Sequence, residues 1–254
     1  MEIIKQKALA SSIHFFASLL VFSIFVYVLL TQWYPEPFFN ASGGWQGLKL
    51  VILVDLVLGP LLTLIVYNRK KTTITKIIDF SFIISLQLSA LIWGIYTVYH
   101  QRPIAIIFWS DQFYTVPVLA LSSHYSKHPK YLELINKKEI PLIIAKKPTN
   151  MDELNEMMRI INDQGIAPHH QIDRYQPLAE NFLSLNSFSI NINKIISSNQ
   201  KVKEELTSIL EKTETQLDDN FYLPLESKYQ NIILVFNKAG ERIGFVIVPA
   251  KNNK

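Results

Sequence analysis

The sequence predicts a membrane protein of three transmembrane helices followed by a soluble α+β domain. Hydrophobic residues make up 49% of the 254-residue chain and charged residues 18%, a mixture too apolar for a soluble protein and too charged for a wholly embedded one. Three long apolar runs lie before residue 103, and β-rich runs and amphipathic segments follow them. We therefore expect a transmembrane domain at 1–102 and a soluble domain at 103–254.

Each apolar run is long enough to cross a bilayer. The predicted spans are residues 12–31, 48–67 and 77–99. At about 1.5 Å per residue, about 20 helical residues match a hydrocarbon core of about 30 Å. The first run is longer than the apolar part of a typical signal peptide, and residues 32–35 offer no small-residue cleavage site. We therefore expect the first span to remain as an anchor.

Positive charges predict the orientation of these spans. The N-terminus carries Lys5 and Lys7, the loop at 68–76 carries four more Lys and Arg residues, and the loop at 32–47 carries none. Because loops rich in Lys and Arg stay in the cytoplasm, the N-terminus and the 68–76 loop are expected there and residues 103–254 outside. An interfacial aromatic belt is expected at the outer boundary. Its members are Trp33, Tyr34, Trp45, Trp93, Tyr96 and Tyr99.

The net charge of +4 belongs to the membrane part of the chain. Residues 1–102 hold eight Lys and Arg residues against four acids, whereas residues 103–254 hold 17 of each sign. The excess therefore fits membrane orientation and contact with lipid headgroups, and it gives no support to nucleic-acid binding. The chain contains no Cys, which excludes disulfides and thiolate metal sites.

The second predicted span carries an acid and a proline. Asp55 lies about 10 Å below the outer boundary at Leu48, where an acid costs about 2.5–3.5 kcal/mol on insertion scales unless it is paired or protonated. Two interpretations stay open: a hydrogen bond to Gln87 or to a serine of a neighbouring span, or a polar contact with a partner helix. Gly59 and Pro60 follow, and the helix is expected to bend there because proline donates no backbone hydrogen bond.

Small residues line one face of the third predicted span. Ser81, Ser85 and Ser89 recur at every fourth position, a spacing that lets helices approach closely. Packing among the three spans is one explanation, and docking of a membrane helix from another protein is the other. The first span has a similar face, formed by Ser11, His14 and Ser18.

Strand-like segments open and close the soluble part. Runs at 104–109 and 113–118 predict a hairpin, a short apolar run predicts a strand at 141–146, and a Gly-containing turn between 231–237 and 242–248 predicts a second hairpin. With strands at both ends and helices between them, the domain reads as α+β.

Two amphipathic helices are predicted between these strands. The first begins with a capping-box-like pair of Asn150 and Glu153 and ends near Gly165. The second covers about 198–217, where apolar residues recur at helical spacing. Residues 164–176 are expected to form a loop.

No motif for catalysis or cofactor binding is found in the sequence. The glycine-rich phosphate motifs and the GxSxG nucleophile motif are missing. His124 and His128 have the i, i+4 spacing of helical metal ligands, but Pro129 is expected to end any helix there, and a third ligand is lacking. These two histidines are interpreted as solvated surface residues, and the loop pair His169 and His170, beside Pro168, gives no stronger indication of a metal site. We therefore expect no catalytic residue, cofactor or metal, and a function in binding.

Several segments together carry a specific resemblance to one family. They are residues 34–35 (YP), 38–45 (FFNASGGW), 54–64 (VDLVLGPLLTL) and 102–103 (RP). These segments resemble the TfpX/TfpZ family of type IV pilin accessory proteins over about residues 10–105. Residues 222–225 and the final hairpin are similar to the family's closing segment.

The resemblance implies an inner-membrane protein of Gram-negative bacteria with a periplasmic C-terminal domain. Such a protein stabilises or chaperones the type IV pilin subunit, whose apolar helix waits in the membrane, and so supports pilus assembly. The expected partners are the pilin subunit, membrane lipids and other pilus-assembly proteins, with no nucleic acid among them. Candidate partner-binding residues are Trp45, Asp55, Gly59, Pro60, Ser81, Ser85 and Ser89.

Two other function classes stay open. The intramembrane acid and the proline-bent span suggest a small membrane enzyme or transporter acting on a lipid-linked or small-molecule substrate, although three helices are few for a substrate pathway. A signalling protein with an outward sensor domain is the other class. Against it, the N-terminus and the 68–76 loop are too short for a cytoplasmic output module.

Overall fold

The computed structural model of the protein describes residues 2–42, 44–137, 139–226 and 230–249. Three long apolar helices are followed by a mixed β-sheet with helices, which confirms the predicted fold class. The chain divides into two compact units, Met1–Arg102 and Pro103–Lys254.

Every secondary-structure element of the first unit is helical in the residues described. Its elements are α1 (Glu2–Val28), a π-helical segment (Leu29–Trp33), α2 (Phe38–Ala41), α3 (Gly44–Val51), a second π-helical segment (Ile52–Leu58), α4 (Gly59–Val66) and α5 (Thr73–Gln101). Three stretches are long and apolar enough to cross a membrane: Ile4–Trp33, Gly47–Val66 and Thr73–Gln101. These are the first, second and third spans below. Each extends beyond the apolar run that predicted it at one end or both.

Two lysines donate hydrogen bonds to the backbone carbonyls at the C-terminal end of the second span. The Lys7 ammonium donates to the carbonyl of Ile65 at 3.1 Å, and that of Lys71 donates to the carbonyl of Val66 at 3.2 Å. Lys71 also pairs with Asp79 at 2.6 Å. The last carbonyls of a helix lack intrahelical donors and carry partial negative charge, so cations stabilise this end. The lysines that predict the orientation thus also satisfy a helix terminus.

Aromatic residues pack at the opposite end of this unit. The rings of Trp33 and Tyr99 meet edge to face with centroids 5.3 Å apart. The Tyr34 hydroxyl donates to the carbonyl of Val98 at 2.9 Å. The residues after the first span therefore lie against the end of the third. The buried cluster here consists of Phe25, Leu29, Tyr34, Phe39 and Leu48.

The second unit is built on one seven-stranded sheet. Its strands are β1 (Pro103–Trp109), β2 (Gln112–Pro117), β3 (Leu142–Ala145), β4 (Tyr175–Pro177), β5 (Phe221–Leu225), β6 (Asn231–Phe236) and β7 (Arg242–Val248). They lie in the order β4-β3-β1-β2-β5-β6-β7. The β1–β3 and β2–β5 pairs are parallel and the others antiparallel. Both predicted hairpins and the predicted strand near 141–146 are confirmed.

Helices of this unit flank the sheet. They are α6 (Val118–Tyr125), α7 (Pro129–Asn136), α8 (Met151–Gln164), α9 (Ile192–Ile196) and α10 (Gln200–Thr213), with 3-10 segments at Pro168–His170, Ile172–Arg174, Phe182–Phe188 and Leu217–Asp219. The helices α8 and α10 confirm the two predicted ones. Asn150 accepts a hydrogen bond from the Glu153 N–H at 2.8 Å, and Gly165 ends α8 with a φ of 68°.

The expectation that Pro129 ends a helix was wrong. Pro129 is the first residue of α7, where proline is favoured because an N–H is not needed there. His124 lies in α6, whereas the His128 side chain caps α7 by accepting from the Lys130 N–H. The two histidines therefore belong to different helices. The predicted loop at 164–176 also contains secondary structure, because its last two residues are the first two residues of β4.

Apolar side chains cover both faces of the sheet centre. Five consecutive residues of β6 are buried, as expected for a strand packed on both sides. One core cluster includes Ile107, Val116, Leu121 and Leu134 with α6 and α7; a second includes Val202, Leu206, Val235 and Val246 with α10.

Candidate functional site

A groove of about 560 Å³ lies between the first and third spans, with the second span at its floor. The lining residues of the first span are Ala10, Ile13, His14, Ala17, Ser18 and Val21, and those of the third are Phe80, Ile84, Gln87, Leu88 and Leu91. Asp55 of the second span and Tyr67, which directly follows that span, complete the lining. Ile13, Val21, Ile84 and Leu88 are exposed, so the walls are open to the surrounding bilayer. We call this cleft the membrane groove.

An acid lies at the floor of the membrane groove. Asp55 is only 7% exposed, and among the described residues no side chain donates a hydrogen bond to its carboxylate. His14 interacts with it electrostatically. The Nδ1 atom of His14 itself lies 2.5 Å from the hydroxyl of fully buried Thr63. The floor therefore combines a buried acid with a histidine that contacts the second span.

The backbone around Asp55 departs from the α-helix. The Gly59 N–H donates to Val54, five residues back, which is π-helical bonding. The next donor in this pattern would be Pro60, which has no N–H. The Asp55 carbonyl is thus left without its usual intrahelical donors, and the Gln87 amide donates to it at 3.3 Å. The predicted link between Asp55 and Gln87 exists, but it uses the backbone carbonyl of Asp55 and not its carboxylate.

Gly59 and Pro60 hold the second span against both neighbours. A Cβ atom at Gly59 would lie 1.9 Å from Nε2 of Gln87, so only glycine leaves room for this amide. The carbonyl of Pro60 accepts a hydrogen bond from the Ser11 hydroxyl at 2.8 Å. The helix accommodates Pro60 by the π-helical segment that directly precedes α4.

The serines of the third span lie outside the membrane groove. Ser81, Ser85 and Ser89 are all exposed, and the Ser89 hydroxyl donates to the carbonyl of Ser85 in its own helix. At 3.6 residues per turn, they form a face beside the one that lines the groove. Packing among the three spans therefore does not explain their spacing.

Trp45 also lies apart from the groove lining. Its side chain is 56% exposed, and its ring meets Phe39 edge to face with centroids 5.5 Å apart. Of the seven candidate partner-binding residues, Asp55 lines the groove, while Gly59 and Pro60 shape its floor.

Sequence reasoning missed most of the groove walls. The first-span wall contains the small residues Ala10, Ala17 and Ser18 and the polar His14, spaced three or four positions apart. This spacing on one helical face was the available signal. It was only partly recognised through the shared face of Ser11, His14 and Ser18.

The paired histidines of the second unit, His169 and His170, are partly buried. The His169 ring stacks on Tyr114 with centroids 4.2 Å apart, and the hydroxyl of Tyr175 donates to the His169 carbonyl at 2.8 Å. Burial, with a contribution from neighbouring His170, lowers the pKa of His169 to about 4. Burial also lowers the pKa of His170. Across the described residues, no three His, Asp or Glu side chains are grouped to hold a metal ion.

Three fimbrial assembly proteins of Dichelobacter nodosus are similar to this chain. The serogroup I protein is 28% identical over 241 residues and the serogroup E1 protein 27% over 241 residues, with 85% of both chains covered in each case. The protein of serogroups C1 and C2 is 42% identical over 101 residues, which cover 40% of this chain and 77% of the relative. No family model and no solved structure matches the chain.

The similarity to the serogroups C1 and C2 protein combines 42% identity with coverage of 77% of that relative. The other two relatives extend the similarity over most of the present chain. This chain belongs to the family of the Dichelobacter nodosus fimbrial assembly proteins.

Proposed function

We propose that this protein is an inner-membrane accessory factor that stabilises the type IV pilin subunit and supports pilus assembly. The relatives named for fimbrial assembly support a role in this process. The resemblance of residues 38–45 and 54–64 to pilin accessory proteins supports the pilin as the client. In this proposal the N-terminus faces the cytoplasm and residues 103–254 the periplasm, in agreement with the positive charges of the 68–76 loop.

The membrane groove is the observation that carries the mechanism. Its apolar walls are open to the bilayer, and Ala10, Ala17 and Ser18 along the first span allow the backbone of another helix to approach closely. A pilin subunit awaiting assembly has an apolar helix in the same membrane. We propose that the groove shields one side of that helix.

The outward unit offers a second surface for the client. The strand β7 is the last strand of the sheet and pairs with β6 along one edge. The other edge of such a strand can accept an extended segment by strand addition. We propose that the pilin head is held at this edge while its helix lies in the membrane groove.

Deleting the gene and measuring pilin level and surface pili tests the assigned role. We expect less pilin and fewer pili, because an unshielded apolar helix exposes the subunit to aggregation and proteolysis. Normal pilin and normal piliation in the deletion strain would reject the role.

A photo-crosslinking residue tests the membrane groove directly. Placed at Ala17 in the groove wall, it should capture pilin; placed at Ala8, which is exposed on the same helix but does not line the groove, it should not. The substitution Ala17→Trp should fill the groove and lower the pilin level, whereas Ala8→Trp should leave it unchanged. Equal capture at both positions would contradict docking in the groove.

A further inference from the structure

Asp55 is a buried acid that lines the membrane groove. The residue is 7% exposed, and among the described residues no group donates a hydrogen bond to its carboxylate. The Gln87 amide donates to the Asp55 carbonyl, and Nδ1 of His14 lies against the Thr63 hydroxyl, so neither contact satisfies the carboxylate. An occupant of the groove can therefore supply a donor to it.

The depth of Asp55 restricts what that occupant can be. The second span covers Gly47–Val66, so Asp55 lies eight residues from one end and eleven from the other. At 1.5 Å per residue these separations are about 12 and 16 Å, which places the acid near the middle of the span. Lipid acyl chains carry no hydrogen-bond donor at this depth, and headgroups lie at the membrane surface.

A second transmembrane helix can supply a donor at this depth. The remaining lining is mainly apolar or small, as a surface for close helix contact requires. Polar side chains within a bilayer form hydrogen bonds across helix pairs because they have no water to bind. The membrane groove thus combines a surface for an apolar helix with one acceptor at a fixed depth.

We propose that the membrane groove recognises a partner helix by one hydrogen-bond-donating side chain near the middle of its span, and that the Asp55 carboxylate accepts this bond. The inference rests on the proposed docking of a helix in the groove. It adds that Asp55 selects among apolar helices and fixes the depth at which the selected helix binds.

Synthetic transmembrane peptides test this selection without the natural client. The full-length protein is reconstituted in phosphatidylcholine vesicles with leucine–alanine peptides of about 20 residues. One peptide carries a single Asn at its centre, a second carries the Asn about seven residues away, and a third has no polar residue. Binding is measured by energy transfer from the protein's tryptophans to a dansyl group on the peptide.

The central-Asn peptide should bind about five- to tenfold more tightly than the other two, the range for an interhelical hydrogen bond of about 1–1.4 kcal/mol. In the variant Asp55→Leu this preference should vanish while the apolar peptide binds as before. The control Asp79→Asn changes an acid of the third span that pairs with Lys71, and it should keep the preference.

Equal binding of all three peptides to the unmodified protein would overturn selection by Asp55 and leave helix docking in place. A preference for the central-Asn peptide that persists in Asp55→Leu would also overturn selection by Asp55. Failure of every peptide to bind, with lipid filling the groove, would overturn the docking on which the inference rests. The central-Asn and displaced-Asn peptides are compared on the unmodified protein, so this part of the test does not depend on whether Asp55→Leu folds.

Discussion

At the scale of single residues, Pro60 matters because it has no backbone N–H to donate to the Asp55 carbonyl. Its missing N–H and the π-helical bond from Gly59 to Val54 together leave the Asp55 carbonyl open for Gln87. The sequence indicates Asp55, Gly59, Pro60 and Gln87 as unusual in a membrane span. It does not indicate which Asp55 atom is used, because a shift from α-helical to π-helical bonding leaves no periodic signal in the side chains.

The substitution Gly59→Ala tests this arrangement. The new Cβ would displace the Gln87 amide from the Asp55 carbonyl, so we expect the free energy of unfolding to fall by about 0.5–1.5 kcal/mol, the net worth of one hydrogen bond. The matched control is Gly94→Ala, whose Cβ would meet Val51 at an ordinary 3.7 Å. Thermal unfolding in detergent measures both variants.

A double mutant separates the hydrogen bond from steric effects. Gln87→Leu removes the same donor, so its effect and that of Gly59→Ala should not add in the combined variant. Additive losses of unfolding free energy would show that Gly59 and Gln87 act independently.

Acid should destabilise the second unit through its partly buried histidines. An unfolded histidine takes up a proton near pH 6.5, whereas the folded His169 does so only near its pKa of about 4. Between these values the unfolded state binds more protons, so stability falls as pH falls from about 6.5 to about 4. Thermal midpoints of the full-length protein across this range should show the loss.

The variant His169→Phe keeps a ring against Tyr114 but cannot take a proton, so it should reduce this pH dependence. The exposed His124 provides the control, and His124→Gln should retain the full dependence. If the thermal midpoint of His169→Phe fell with pH as much as that of the unmodified protein, His169 would not be the source of the acid destabilisation.

At the scale of elements, local sequence signals predicted most strands and helices but not which strands lie side by side in the sheet. The hairpins and the capped helix α8 follow from turns, alternation and capping residues near one another in sequence. The parallel pairing of β2 with β5 joins Phe113 to Leu225, and it makes one sheet from two halves. Such a contact between distant residues leaves no local pattern, so neither the strand order nor the short strand β4 was predictable.

Asn150 should be the residue on which the start of α8 depends. Its side chain accepts from the Glu153 N–H, so Asn150→Ala should lower the free energy of unfolding by about 0.5–2 kcal/mol. Asn155→Ala, at an exposed position inside the same helix, is the matched control and should not destabilise. Urea unfolding of the full-length protein in detergent measures the difference, and equal midpoints for the two variants would contradict the capping role.

At the scale of the whole molecule, composition predicted the three spans because length and apolarity alone decide whether a helix can cross a bilayer. The membrane groove was not predictable in the same way. It depends on which faces of the spans meet, and the serine face at Ser81, Ser85 and Ser89 lies outside its lining. Of the seven candidate partner-binding residues, Asp55 belongs to its lining.

The proposed orientation predicts where reporters are active. Alkaline phosphatase fused after residue 110 should be active, because it folds only outside the cytoplasm, and the same reporter inserted in the 68–76 loop should be inactive. Cytoplasmic reporters at these positions should give the reverse pattern. Protease digestion of residues 103–254 in inside-out vesicles would overturn the orientation.

The contacts made by the second span also imply an order of biogenesis. Lys7, Ser11 and His14 all precede the second span, and they bind Ile65, Pro60 and Thr63. A nascent chain leaving the insertion machinery can therefore form a two-helix intermediate before the third span is synthesised. Gln87 arrives last, so the Asp55 carbonyl gains its partner only when insertion of the third span is complete.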